Sequence, residues 1–224
     1  MGSREEQVRT QYESWLVGRT PVALYVRWYL RRGGARYALP LFAAMGDERF
    51  PRVLDVGCAT GQYLKWAFDH GHGSRLLAGV DLSPVMLAEA AARLHSARDA
   101  GVGVQLHEAS ATALPFPEDS FDALICNGVV KYLDDEMFSS FLHEAARVLR
   151  KGGSVAVADF DQLVAPQSVI MPPARLGIPI DHLRSAHTLS QMLVDHGFRG
   201  AVSVSLKRVR QIPLTYAGVV ATKS

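Results

Sequence analysis

Cysteine is almost missing from this chain, with only Cys58 and Cys126 among 224 residues. A disulfide framework needs more cysteines in a shorter, exported chain, so both are expected as free thiols in a reducing compartment. No apolar run approaches the roughly 18 residues of a membrane-spanning helix, and no signal-peptide h-region is present. Glu6 breaks the myristoylation pattern that Gly2 would begin. A cytoplasmic protein without membrane attachment is expected. An excess of one charge is lacking too: 24 Lys and Arg against 22 Asp and Glu leave a formal charge of +2. That balance and the absence of an appended nucleic-acid module exclude a nucleic-acid partner from the expectation. Internal repeats and low-complexity segments are also absent, and nothing in the sequence fixes an oligomeric state.

What the chain does have is an alternation of strand and helix patterns. Strands are predicted at Val53–Val56, Leu76–Val80, Val102–Glu108, Ala123–Cys126 and Ser154–Phe160, with helices beginning near Gly61, Pro84 and Asp135. Alternation of this kind implies a parallel α/β sheet covered on both faces. Leu87, Ala90, Ala91 and Leu94 form one helical apolar stripe, and Phe138, Phe141, Leu142, Ala145, Val148 and Leu149 form another. Leu189–His196 reads as a helix ended by Gly197, followed by strands at Ala201–Leu206 and Thr215–Ala221. Residues 4–46 look like two or three amphipathic helices, split near Pro21 and near Gly33-Gly34. The expected organisation is an amino-terminal helical cap, residues 1–46, on a domain of residues 47–224.

The run Val53-Leu54-Asp55-Val56-Gly57-Cys58-Ala59-Thr60-Gly61 is an apolar strand turning sharply into a helix, and Asp81 ends the next apolar strand. Glycines there permit a tight turn and close approach to a ligand, and a carboxylate ending the second strand can accept from both ribose hydroxyls. The duller alternatives are an ordinary strand-to-helix turn and a helix-capping Asp81, although Ser83 can cap the helix at Pro84. Dinucleotides want G-x-G-x-x-G, and here Ala59 and Gln62 occupy the second and third glycine positions. An adenosine ligand without a pyrophosphate is favoured over NAD.

The loop resembles the D-x-G-x-G-x-G motif of class I S-adenosylmethionine-dependent methyltransferases. Gly79-Val80-Asp81-Leu82-Ser83-Pro84, Ala109-Ser110-Ala111-Thr112-Ala113-Leu114-Pro115-Phe116 and Arg147-Val148-Leu149-Arg150-Lys151-Gly152-Gly153 are similar to further motifs of that family, in the same order. The resemblance implies a Rossmann-like, doubly wound, mostly parallel seven-stranded sheet with an antiparallel last strand, and S-adenosyl-L-methionine as cofactor. It implies cofactor contacts from Asp55, Gly57, Cys58, Ala59 and Gly61, from Asp81 and Leu82 at the ribose, from Ser110 and Ala111 at the adenine, and from Asn127 near the ammonium group. Two positions depart from the pattern: Ala59 replaces the middle glycine, and Ser110 stands where the family often has an acidic acceptor for the adenine amine.

Methyl transfer needs chiefly positioning, and then removal of the acceptor's proton. Lys131 and Tyr132, leaving the fourth strand, are the candidates to face the acceptor, against a surface role for Lys131. His182 and His187 are alternative bases, against ordinary solvated histidines. Asp159, Asp161 and Asn127 resemble part of a metal set, but the full constellation is lacking and no metal is expected. Asn127-Gly128-Val129-Val130 is not the [DNS]-P-P-[YFW] motif of nucleic-acid amino-methyltransferases. The aromatics Trp15, Tyr25, Trp28, Tyr29, Tyr37 and Phe42 suit either packing or a lid over an apolar acceptor pocket. The expected partner is therefore a small, apolar or aromatic methyl acceptor, with O-methylation favoured. The alternative is a domain that binds the cofactor without transferring methyl, as a noncatalytic subunit or sensor.

Overall fold

Short apolar runs bounded by glycine or polar turns give strands, and the amphipathic stretches between them give helices. The computed structural model describes residues 4–19, 23–24, 28, 35–46, 50–70, 73–163, 181–205 and 214–224. Pro21, Gly33-Gly34 and residues 164–180 and 206–213 lie outside them, as do the side chains of Trp15, Leu16, Tyr25, Tyr29 and Tyr37.

In chain order the elements are α1 (Arg4–Val17), α2 (Ala35–Ala44), β1 (Arg52–Val56), α3 (Gln62–Asp69), β2 (Leu76–Asp81), α4 (Pro84–Arg93), α5 (His95–Asp99), β3 (Gly103–Glu108), β4 (Phe121–Asn127), a 3-10 turn (Val130–Tyr132), α6 (Asp135–Val148), β5 (Leu149–Leu163), α7 (Ala186–Asp195), β6 (Phe198–Ser205) and β7 (Leu214–Lys223). The strands form one seven-stranded sheet in the order β3-β2-β1-β4-β5-β7-β6. β1 to β5 pair in parallel, whereas β7 lies antiparallel between β5 and β6. This is the doubly wound, mostly parallel sheet with an antiparallel last strand.

Successive strand residues point to opposite faces, which divides the core into two layers. Leu54, Val56 and Leu124 pack with Phe138 and Phe141 of α6 on one face. Val53 and Ile125 pack with Leu64 and with Leu41 and Phe42 of α2 on the other, so α2 and the sheet share a core. Ser83, Asp134 and Ser185 cap α4, α6 and α7 by accepting from backbone N–H groups in the first turns. The α6 stripe is buried as the periodicity predicts. On α4 the buried line instead runs through Met86, Ala90 and Leu94, with Leu87 and Ala91 half-buried. The cause is position: α4 packs near β3, an edge strand that covers only part of the helix. Among the described residues no helix is long and apolar enough to cross a membrane.

Candidate active site

The turn out of β1 is built on left-handed backbone: Gly57, Ala59 and Gly61 have φ of 73°, 44° and 73°. The Gly57 and Cys58 N–H groups both donate to the Val80 carbonyl, at 2.8 and 2.9 Å, which ties the loop to β2. A Cβ on Gly57 would lie 2.2 Å from Val129 Cγ2, so only glycine fits there. Ala59 adopts a conformation that costs a residue with a Cβ about 1–2 kcal/mol. Its replacement of glycine is thus a departure in strain rather than in shape.

Asp81 receives that loop. Its Oδ2 accepts from the Ala59 N–H at 2.8 Å and its Oδ1 from the Ser83 N–H at 3.0 Å. Burial raises its pKa; backbone hydrogen bonds oppose the rise and the charge of Glu13 adds to it. Asp55, 1 % exposed, is pushed up to about 8, first by burial and then by the Asp81 charge. Among the described residues its buried Oδ2 has no hydrogen-bond partner. Two neighbouring carboxyls, one with an orphaned oxygen, fit a ligand that carries positive charge and hydroxyl donors, as S-adenosylmethionine does.

The other predicted cofactor contacts surround this pair. Cys58 is buried, its thiol pKa raised by burial and by both carboxyls; a Cβ on Gly79 would lie 2.7 Å from its sulfur, so the side chain packs on β2 and the backbone shapes the loop. Leu82 and Ala111 are half-buried. Ser110 accepts from the Thr112 N–H at 3.1 Å and donates to the Glu5 carboxylate of α1. The Ala109 N–H donates to the Asp81 carbonyl at 3.2 Å, which holds the start of this segment against β2.

Asn127 ends β4 and joins two tyrosines absent from the sequence prediction. Its Nδ2 donates to Tyr63 Oη at 2.6 Å, and its Oδ1 accepts from Tyr216 Oη at 2.6 Å. Lys131 is not a surface lysine: it is 4 % exposed. Its ammonium donates to the Gly128 carbonyl and to Asp159 Oδ1, the latter at 3.2 Å, and lies over the rings of Tyr132 and Phe160 at 4.6 and 5.5 Å. A Cβ on Gly128 would lie 3.6 Å from Lys131 Nζ and 3.9 Å from Tyr216 Oη, so the cation and that hydroxyl share one wall. Asp159 is thus the lysine's ion-pair partner. Among the described residues no group of three His, Cys, Asp or Glu side chains is placed to hold a metal ion.

Arg184 ties the late connection to the same turn. It donates to the Val130, Leu133 and His182 carbonyls at 3.2, 3.0 and 3.2 Å and pairs with Asp135 at 2.7 Å. That draws the His182 backbone to Lys131's turn. His187 is exposed in the first turn of α7, and no described contact joins it to Lys131 or Asn127. Tyr216 was detectable only through register: β7 meets β5 with Tyr216 opposite Phe160, and strand patterns alone do not set that pairing.

Residues 53–153 match the family described as a methyltransferase domain. Over 115 residues the chain is 37 % identical to a demethylmenaquinone methyltransferase from Thermus thermophilus, covering 50 % of this chain and 49 % of that protein. The chain carries a class I S-adenosylmethionine-dependent methyltransferase domain. It is also 29 % identical over 193 residues to erythromycin 3''-O-methyltransferase from Saccharopolyspora erythraea, covering 81 % of this chain and 60 % of that one. This methyltransferase fold matches the structure of geranyl diphosphate C-methyltransferase from Streptomyces coelicolor with a TM-score of 0.69 at 15 % identity, over 100 % of this chain and 99 % of that one. The chain spans about half the length of the curated relatives it matches, from 41 to 60 %.

Proposed function

We propose that this protein transfers a methyl group from S-adenosyl-L-methionine to a small, apolar or aromatic organic acceptor in the cytoplasm, with a hydroxyl oxygen as the favoured atom. The observation that carries the reading is the meeting, around β1, of a ribose-type carboxylate ending β2, Asp81, and a hydroxyl-bearing wall ending β4, Asn127 with Tyr63 and Tyr216. Ligands of open α/β sheets collect at these strand ends.

When bound, S-adenosylmethionine supplies a methyl group already activated by its sulfonium. Asp81 would hold the ribose, Asp55 and the Gly57–Gly61 turn the amino-acid end, and the Asn127 backbone the ammonium group. Tyr63 and Tyr216 orient a polar acceptor atom, while Tyr132 and Phe160 offer aromatic surface. The Lys131–Tyr132 turn, with His182 or His187, is the proposed route for the acceptor's proton; an acceptor ionised at working pH needs none. The named activities of the two relatives, on demethylmenaquinone and on erythromycin, support a small organic acceptor.

The second reading, cofactor binding without transfer, is favoured by one observation: Lys131 is engaged by Asp159 rather than projecting as a base. Calorimetry with S-adenosylhomocysteine, followed by transfer of labelled methyl to a panel of phenols, quinols, hydroxylated macrolides and amines, separates the two. Labelled product supports the first reading. Tight binding with no transfer to any member supports the second.

A further inference from the structure

The contacts of α1 fall on the cofactor side of the crevice. Glu5, Arg9 and Glu13 are spaced four residues apart and therefore share one helix face. Glu5 accepts from Ser110, Arg9 pairs with Glu108 at 3.4 Å, and Glu13 accepts from Ser83 at 2.9 Å. These partners end or follow β3, or follow β2, so α1 lies across both strand ends. From Arg4 to Glu13 the helix has one aliphatic residue, Val8, and its described contacts with the strand ends are polar ones that can let go and re-form.

The sheet order β3-β2-β1-β4 fixes which part of an adenosine ligand lies beneath α1. With the ribose on Asp81 and the tail toward the β1 turn and Asn127, the base extends the other way, toward the end of β3. An adenine presents a donor amine there. Ser110 is committed, since its hydroxyl donates to Glu5 and accepts from Thr112. Glu5 is half-buried, and a carboxylate has room for about four hydrogen bonds at its two oxygens.

We infer that Glu5 is the acceptor for the adenine exocyclic amine, delivered by α1 in place of an acidic residue at position 110. This rests on the proposed S-adenosylmethionine site. Base recognition and closure of α1 are then one event: the helix opens to admit the cofactor and docks on its base, with Arg9 and Glu13 fixing the register.

The test is the affinity of the full chain for S-adenosylhomocysteine and for its 6-oxo counterpart, S-inosylhomocysteine, in which the donor amine becomes an acceptor. The wild-type protein is expected to prefer the adenine form by tenfold or more. Glu5→Gln, whose amide can donate as well as accept, should narrow that ratio about tenfold, the scale of one charge-assisted hydrogen bond. Hydrogen exchange along Arg4–Val17 should slow on binding in the wild type, and less so in the variant. Tight S-adenosylhomocysteine binding with the same ratio in both proteins would overturn the role of Glu5 alone. No binding by the wild type would overturn the cofactor site as well.

Discussion

Asp159 accepts from both ends of Lys131, its Oδ2 from the backbone N–H at 3.0 Å and its Oδ1 from the ammonium at 3.2 Å. One carboxylate therefore closes the turn after β4 and neutralises the buried cation. Removing one partner of such a pair leaves a buried charge and costs about 3–5 kcal/mol. Lys131→Met is expected to lose stability on that scale in urea unfolding, and Lys131→Met with Asp159→Asn, whose amide oxygen still accepts from the backbone, to recover part of it. A loss in the double variant equal to the sum of the two single losses would show that the two residues are not coupled.

Tyr216, bonded to Asn127, lines the Gly128 wall together with that cation. Tyr216→Phe removes the hydroxyl with little change in volume, so S-adenosylhomocysteine affinity should hold while kcat on the identified acceptor falls about tenfold or more. An unchanged kcat would exclude this hydroxyl from acceptor handling.

Asp81→Ala should weaken S-adenosylhomocysteine roughly tenfold to a hundredfold, the worth of about 1.5–3 kcal/mol of charge-assisted hydrogen bonding. NAD should bind neither protein appreciably. Calorimetry on folded variants measures both, and an unchanged affinity would reduce Asp81 to a clamp for the Ala59 amide.

The turn supplies a paired test of strain. Ala59→Gly relieves a left-handed alanine, φ 44°, against a comparable gain of unfolded-chain freedom, so it should be neutral or stabilising by up to about 1 kcal/mol. Gly57→Ala drives a methyl into Val129 and should destabilise by about 2 kcal/mol or more. Thermal unfolding of both variants ranks them.

Asp55 gives a pH dependence with a definite sign. Its pKa is about 8 folded against an ordinary 3.8, so between those values the folded chain holds a proton that the unfolded chain has released. The contribution to stability is complete below about pH 4 and is lost as the pH rises toward 8. Urea unfolding of the ligand-free wild type and Asp55→Asn at pH 5 and pH 8 should show a gap that shifts in the variant's favour at the higher pH. A constant gap would place the Asp55 pKa near its ordinary value.

The proposed adenosine half of the candidate site could be drawn from the sequence because its chemistry is contiguous: strand, turn, strand and carboxylate fall within Val53 to Asp81, and local backbone demands select glycines and small residues there. The acceptor half could not. Lys131 meets Asp159 only through the parallel register of β4 on β5, and Tyr216 reaches Asn127 only because β7 runs antiparallel beside β5. Glu5 was further hidden, since Ser110 records the missing acid without saying which distant segment supplies one. The shifted α4 stripe has the same root, as periodicity finds an apolar face but not how much of it an edge strand covers.

β7 is the interior partner of β6, yet β6 precedes it in the chain. During synthesis β6 emerges with no neighbour to pair with, and β5 keeps an open edge until Leu214–Lys223 arrives. At about 5–20 residues per second the stretch from Leu163 to Lys223 takes about 3–12 seconds. The nascent chain is then most exposed to edge-to-edge association, and slow codons anywhere between β5 and β7 would lengthen the risk whereas slow codons before β5 would not.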